Sequence, residues 1–519
     1  MPMDKLVILD FGGQYSHLIS RRIRDIGVYS EVLPSDVSKD ELIKIKDLKG
    51  IILSGGAASV YDDDAPKCNK SIFGIGIPIL GICYGHQLIA YLNGGEVALG
   101  ESGEYGITEL RLLDRGRRAG LLGKNMLLNS LNTSEKVWMN HCDIVRKLPE
   151  GYSITASTDH SPIAAFENGD KQIYGVQFHP EVTHTEHGNR ILENFALDIC
   201  NAKRDWKTSN IIANITAEIK QKIASRKVIL GLSGGVDSST SALLVSRVIG
   251  ENLTAVYVDT GLMRYRETEF IQQIFSKSSL KLRVIKAHER FFNALRGVTD
   301  PEEKRKIIGK TFIDVFDEVA EGEAADVLVQ GTIYSDRIES GITKHSSRIK
   351  SHHNVGGLPD NMKLEIYEPL RDLYKDEVRR LAMELGLPDE IITRHVFPGP
   401  GLGIRILGEV TPEKADIVRR ASFIVEDELR KAGLYERVWM GFAVLLPIKS
   451  VGIQGDARSY KYPVVVRIIE SKDAMTTNFA KLPYEILEAI STRITNEIHE
   501  VNRVVYDISN KPPATMEWE

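Results

Sequence analysis

From residue 5 the chain alternates strand-length apolar runs with longer segments of mixed polarity. Apolar runs at Lys5–Asp10, 50–53, 78–81 and 172–178 are separated by helix-length stretches and glycine or polar turns, the alternation expected of an α/β domain. A polar connector at 201–210 then leads into an amphipathic helix predicted over 211–225 and a new strand at 227–232. Strands predicted at 252–259, 281–285 and 326–330 resume the rhythm and point to a parallel sheet covered by helices. The Pro/Gly cluster at 397–403 breaks the periodicity. Beyond it, strands expected at 464–470 and 504–509 flank a helix expected at 484–501, the order of a small α+β domain. We therefore expect an α/β protein of three domains, 1–203, 204–394 and 395–519. The first two are open, mainly parallel sheets, and no internal repeat or low-complexity tract is visible.

Composition narrows the class. The 519 residues are 42% hydrophobic and 26% charged, the balance of a folded globular protein. With 66 basic and 71 acidic residues the formal charge is -5, so there is no global attraction to nucleic acid or to an anionic membrane. No apolar stretch reaches membrane-spanning length, and the start of the chain lacks the basic flank and long apolar core of a secretion signal. Cys68, Cys83, Cys142 and Cys200 show neither metal-site nor disulfide spacing, which predicts a reducing cytoplasm.

One of these cysteines sits in a chemical setting. Residues 78–88 read Pro-Ile-Leu-Gly-Ile-Cys-Tyr-Gly-His-Gln-Leu, so Cys83 lies between Gly81 and Gly85, after a strand and before a helix. That is the nucleophile-elbow arrangement with sulfur in place of a serine oxygen. The free N–H groups of the helix start favour a thiolate and can hold an oxyanion. A buried structural cysteine is the plain alternative, but it does not need two flanking glycines. Residues 174–181, Tyr-Gly-Val-Gln-Phe-His-Pro-Glu, place His179 just past a strand with Glu181 two residues on, a base and a carboxylate to orient it.

These two segments resemble the class I, or triad, glutamine amidotransferases over roughly residues 6–200. The resemblance implies that Cys83 attacks the glutamine amide, His179 shuttles the proton and Glu181 orients His179. It further implies Gly55, Gly56, Tyr84 and Gln87 as oxyanion and glutamine-binding positions. The family commonly has proline after the two glycines, where this chain has Ala57.

A second site follows, a glycine turn suited to phosphate. In 228–239, Val-Ile-Leu-Gly-Leu-Ser-Gly-Gly-Val-Asp-Ser-Ser, an apolar strand enters a glycine turn and then a helix expected at 240–249. Such a turn presents backbone N–H groups and a helix N-terminus to phosphate, yet it lacks the Gly-Lys-Ser/Thr ending of a Walker A loop. It resembles the pyrophosphate loop of N-type ATP pyrophosphatases, which split ATP to AMP and pyrophosphate. By that resemblance Ser233, Gly234, Gly235, Val236, Asp237, Ser238 and Ser239 bind ATP, and Asp237 reaches Mg²⁺. Asp259, at a strand's carboxyl end, is a further ATP-site candidate, though a polar strand terminus needs no function. Lys350, His352 and His353 together could close over the polyphosphate, and Asp336 and Glu339 could hold Mg²⁺ or place the lysine. A charged loop is otherwise simply solvated.

Taken in order, both sites together with 138–143, 350–357, 397–403, 455–460 and the terminal Lys-Pro-Pro-Ala-Thr-Met-Glu-Trp-Glu resemble the glutamine-hydrolysing GMP synthase family almost end to end. The resemblance implies adenylylation of xanthosine 5′-phosphate (XMP) by MgATP and amination to GMP. It also implies a homodimer formed through the C-terminal domain, with Arg405, Lys511 and Glu517 near XMP. A glutamine-dependent NAD synthetase shares the Ser-Gly-Gly-x-Asp-Ser loop but pairs it with a different glutaminase. An inactive nucleotide-binding regulator of the same fold would be expected to lack Cys83, His179, Glu181 or Asp237.

Overall fold

The computed structural model describes residues 3–113, 126–276, 278, 280–339, 364–471 and 476–519. Two compact units emerge, Met1–Ile211 and Ile212–Glu519, and the boundary falls inside the helix Thr208–Ile223. That helix starts three residues before the expected 211, because Ile211 N–H already donates to Lys207 O and the first turn precedes the first apolar residue.

The first unit is built on β1 (Lys5–Asp10), β2 (Tyr29–Pro34), β3 (Leu48–Leu53), β4 (Ile79–Ile82), β5 (Glu96–Leu112), β6 (Ser134–Lys147), β7 (Ser153–Ser157), β8 (Ala165–Asn168) and β9 (Ile173–Val176). They lie in the order β2-β1-β3-β4-β9-β8-β7-β5-β6. The first five in that order are mutually parallel and the rest antiparallel. The parallel half is apolar on both faces: Leu6 and Ile8 of β1 enter one core while Val7 and Leu9 enter the other. Strands β5 and β6 carry buried and exposed positions in near alternation, so no continuous apolar run announces them in the sequence.

In the second unit β10 (Val228–Gly231), β11 (Leu253–Asp259), β12 (Lys281–Lys286), β13 (Val327–Val329) and β14 (Glu365–Tyr367) form a wholly parallel sheet ordered β12-β11-β10-β13-β14. The chain runs outward from β10 through β11 to β12 and then returns to β13 on the opposite side. The carboxyl end of β10 is therefore the topological switch point, where ligands of open α/β sheets bind.

A third sheet contains β15 (Met440–Leu445), β16 (Ser450–Gln454), β17 (Ala457–Glu470), β18 (Asn478–Phe479) and β19 (Val501–Tyr506), with β17 bonded to all the others. Two expectations shift here. Strand β17 begins at Ala457 rather than 464, its first half being polar and partly exposed. The helix expected to reach 501 ends at Glu497, and Val501 opens β19, where Tyr462 N–H is bonded to Glu500 O. The 212–394 and 395–519 segments share one apolar core, with Ile229, Val256 and Phe316 in the same cluster as Val418, Ala443 and Val466. Among the described residues no helix is long and apolar enough to cross a membrane.

Candidate active sites

Cys83 stands between β4 and the helix Tyr84–Leu92 with φ 53° and ψ -104°. A side chain is rarely held at positive φ without over-determined surroundings. Here the Cys83 N–H donates to Val176 O at 2.9 Å, and both glycines of the elbow are packed too tightly for a side chain. A Cβ on Gly85 would lie 2.3 Å from Leu53 O, and one on Gly81 would lie 2.5 Å from Gly85 C.

His179 follows β9, and its own N–H donates to Trp138 O at 3.0 Å. Its Nδ1 donates to Glu181 Oε1 at 2.7 Å, while Nε2 is buried and, among the described residues, makes no hydrogen bond. Glu181 is itself wholly buried, and Arg22 Nε donates to its main-chain oxygen. Burial opposes a charge on His179, but the Glu181 carboxylate and the Cys83 sulfur outweigh it and hold the imidazole well above the usual histidine range. A Cβ on Gly55 would lie 3.3 Å from His179 Cε1 and 3.9 Å from Cys83 Cβ, so this backbone passes against both groups. Cysteine, histidine, carboxylate and a glycine backbone are thus brought together in one place.

The neighbouring candidates take different positions. Tyr84 is buried with its ring near Phe11 and its hydroxyl donating to Pro66 O at 2.6 Å, so its side chain is committed away from the sulfur. Gly56 approaches the same ring, a Cβ there falling 3.0 Å from Tyr84 Cγ. Gln87 Nε2 donates to Asp143 O at 2.8 Å and to Gln177 Oε1 at 3.1 Å. Gln177, to which sequence reasoning assigned no role, has Nε2 3.7 Å from Cys83 Sγ. Of the other cysteines, Cys142 is exposed, and burial pushes the Cys68 thiol up to about 12, outside the range of a working nucleophile.

The second site lies at the end of β10. The helix there spans Val236–Ile249, four residues longer at its start than expected. Asp237, Ser238 and Ser239 therefore sit in its first turn rather than in a loop, with Ser239 N–H bonded to Gly235 O. Gly234 has φ +76°. Ser238 Oγ accepts from Ser233 N–H at 3.2 Å and donates to Gly235 O at 3.2 Å, tying the turn to the helix. Lys375, at the start of the helix Lys375–Glu384, places Nζ 2.5 Å from Asp237 Oδ2. The other oxygen, Asp237 Oδ1, is buried and has no hydrogen-bond partner among the described residues. Lys375 carries no local signal in the sequence, since it is 138 positions from Asp237 and meets it only through tertiary packing.

Asp259 is occupied: Oδ1 accepts from Gly261 N–H at 3.1 Å and faces His288 Nε2 at 2.6 Å, and Oδ2 accepts from Thr268 Oγ at 2.6 Å. Asp336 Oδ2 accepts from Ile333 N–H at 3.0 Å at the start of the helix Tyr334–Glu339. Glu339 ends that helix; its side chain, and Lys350, His352 and His353 altogether, lie outside the described residues. Among the described residues no group of three or more His, Cys, Asp or Glu is gathered as a metal cage.

In the C-terminal segment Arg405 and Glu517 meet. Arg405 Nε and Nη2 donate to the two Glu517 oxygens at 3.0 and 2.7 Å, and the guanidinium lies 4.0 Å from the Phe442 ring centroid. Arg405 also borders a cavity of about 830 Å³ whose wall includes Arg264, Arg394 and Arg419. Lys511 is held through its backbone, which exchanges hydrogen bonds with Thr477 at 2.9 and 3.1 Å.

Residues 7–199 match the family described as glutamine amidotransferase class-I, 208–299 match the NAD synthase family, and 427–518 match the GMP synthase C terminal domain family. A protein from Fusobacterium nucleatum named GMP synthase [glutamine-hydrolyzing] is 52% identical over 517 residues, covering 99% of each chain. A protein of the same name from Caldicellulosiruptor saccharolyticus is 51% identical over 524 residues, covering 100% of each. Another from Lactobacillus gasseri is 50% identical, covering 99% of this chain and 98% of its own.

Proposed function

The chain belongs to the glutamine-hydrolysing GMP synthase family, and from that premise we propose how its residues divide the reaction. It is a carbon–nitrogen ligase that takes nitrogen from glutamine and uses ATP to form GMP. In the first unit, Cys83 is the nucleophile. Its sulfur attacks the glutamine amide carbon as the thiol proton passes to His179. Backbone N–H groups beside Gly55, Gly56 and Tyr84 receive the developing oxyanion. His179 protonates the departing nitrogen, ammonia leaves, and a glutamyl thioester remains. Water then attacks with His179 as base, releasing glutamate and restoring the thiol. Glu181 keeps Nδ1 of His179 protonated, which leaves Nε2 to exchange protons at the sulfur.

In the second unit, the turn and first helical residues 233–239 bind the ATP polyphosphate. The XMP C2 oxygen attacks the α-phosphorus, pyrophosphate departs toward the helix N-terminus, and ammonia then displaces AMP to give GMP. Lys375 supplies cationic charge to the departing pyrophosphate. The buried Oδ1 of Asp237, without a hydrogen-bond partner among the described residues, fits a Mg²⁺ ligand, and a single carboxylate suffices because the substrate's phosphate oxygens and water complete such a shell. Bound there, Mg²⁺ would neutralise charge on the phosphates. Asp259, Asp336, Glu339, Lys350, His352 and His353 remain candidates for support of the nucleotide. For XMP we retain Arg405, Lys511 and Glu517. Because Glu517 occupies the Arg405 fork, a phosphate would have to displace that carboxylate.

A homodimer is supported by exposed Val451, Ile453 and Tyr460 on the β16–β17 ribbon, an apolar strip suited to a second copy. Four free cysteines fit a reducing cytoplasm.

The observation that carries the reading is an elbow cysteine with a buried His179–Glu181 pair in one unit and a Ser-Gly-Gly turn at a sheet switch point in the other. Incubation with XMP, MgATP and glutamine, following GMP, AMP and pyrophosphate together, tests it. Equal amounts of all three are expected; ADP and phosphate in place of AMP and pyrophosphate would overturn the role of 233–239. Glutamate release without GMP would reject XMP as acceptor.

A further inference from the structure

We propose that Gln177 is a positioning residue for the nucleophile: its side-chain amide holds the Cys83 sulfur through an N–H···S hydrogen bond, and Gln87 fixes the way that amide points. The inference rests on the reading of Cys83 as nucleophile and adds to it a second support for the sulfur, apart from His179.

The orientation follows from hydrogen-bond logic. Asp143 O can only accept, so the Gln87 atom 2.8 Å from it is the NH₂ group. That NH₂ also stands 3.1 Å from a terminal atom of Gln177, which must then be the carbonyl oxygen, since two NH₂ groups cannot bond. The end of Gln177 turned toward Cys83 Sγ, at 3.7 Å, is consequently its NH₂. Gln177 is wholly buried and its main-chain N–H is committed to Ala164 O at 2.8 Å, so the side chain cannot exchange this arrangement for water. An amide N–H left unpaired at such a site would carry a desolvation cost, and the sulfur is the acceptor within reach.

The chemical consequence concerns what the sulfur meets in each state. As a thiol, Cys83 donates to Asn140 O at 3.8 Å. Once its proton passes to His179, that carbonyl faces an anion and offers nothing, whereas the Gln177 N–H becomes a donor to charge and strengthens. The charged groups at the sulfur are His179, with Glu181 behind it; Asn140 and Gly55 contribute backbone only. Gln177 thus favours the attacking form and fixes its direction without touching the glutamine nitrogen.

The test compares Gln177→Met, which keeps length but has no N–H, Gln177→Glu, which is isosteric and only accepts when ionised, and Gln177→Asn, which retains the donor. In the full-length protein, alkylation of Cys83 by iodoacetamide at pH 7 is followed by peptide mass spectrometry, with exposed Cys142 as the internal reference, beside kcat and KM for glutamine. We expect the Cys83 to Cys142 rate ratio and kcat to fall about tenfold to a hundredfold in the Met and Glu variants. KM should stay within about threefold, as for loss of an interaction made by the nucleophile rather than by bound substrate. The Asn variant should recover part of the alkylation rate, and ammonium-driven GMP synthesis should be unchanged in all three. Thermal unfolding selects whichever of the Met and Glu variants keeps the parent midpoint. If neither does, equal alkylation ratios in Asn and Met variants overturn the proposal. A parent-like alkylation ratio in a folded Met or Glu variant, or a loss confined to KM, overturns it too. Glutaminase activity surviving in Cys83→Ala would instead refute the nucleophile assignment itself.

Discussion

His179 Nδ1 and Glu181 Oε1 lie 2.7 Å apart, with both side chains buried and the other imidazole nitrogen making no hydrogen bond among the described residues. The carboxylate therefore holds the proton on Nδ1 and, together with the Cys83 sulfur, raises the imidazole against burial. Glu181→Gln keeps the shape but removes the charge, so glutaminase kcat should fall about 10²-fold to 10⁴-fold with ammonium-driven synthesis intact. The same variant should move the His179 titration downward by NMR, because burial then acts against its charged form with less opposition. An unchanged titration would show that Glu181 does not set the charge.

Lys375 and Asp237 form the corresponding pair in the second unit. Lys375→Met should lower the rate of AMP and pyrophosphate formation by about 10²-fold while glutamine hydrolysis continues. A parent-like pyrophosphate rate in the variant would remove Lys375 from the site.

Gly85→Ala tests the elbow by backbone crowding. The new Cβ would stand 2.3 Å from Leu53 O, a contact that only a backbone shift relieves. We expect a loss of about 2–3 kcal/mol in the stability of the first unit, measured by denaturant unfolding, together with loss of glutaminase activity. Gly169→Ala, where a new Cβ meets nothing within 4 Å and the backbone is not at positive φ, controls for a Gly-to-Ala change without crowding.

His86 gives the first unit an acid-side pH dependence. Burial pushes its imidazole down to about 3, so it stays neutral in the fold, its ring tilted against Phe166 with Nε2 bonded to Ile163 O. The unfolded chain takes up a proton below about pH 6.5. Between that pH and about 3 the unfolded state binds the extra proton, so stability falls as pH falls, by about 1.4 kcal/mol per unit. Above 6.5 the contribution is complete and flat. Denaturant midpoints from pH 7 to pH 4 should show the decline, and His86→Phe should flatten it; an equal slope in the variant would assign the effect elsewhere.

Much of this protein was determined by its sequence. Strands apolar on both faces, such as Lys5–Asp10 and Ile79–Ile82, are contiguous runs because a parallel sheet is covered twice, and they located the α/β units. Cys83, His179, Glu181 and the turn at 233–239 were legible because elbow and turn geometry demand glycine and small polar residues at fixed local spacing. Strands β5 and β6 were not, since one solvated face breaks their apolar run. Tertiary structure alone decided that Lys375 meets Asp237, that Glu517 fills the Arg405 fork, and that Tyr84 turns its hydroxyl to Pro66. It also decided that Gln87 and Gln177, 90 positions apart, form a chain of amides ending at the sulfur. Such pairings depend on which strand neighbours which, and the order β4-β9 that joins Cys83 to His179 and Gln177 is a property of packing rather than of local spacing.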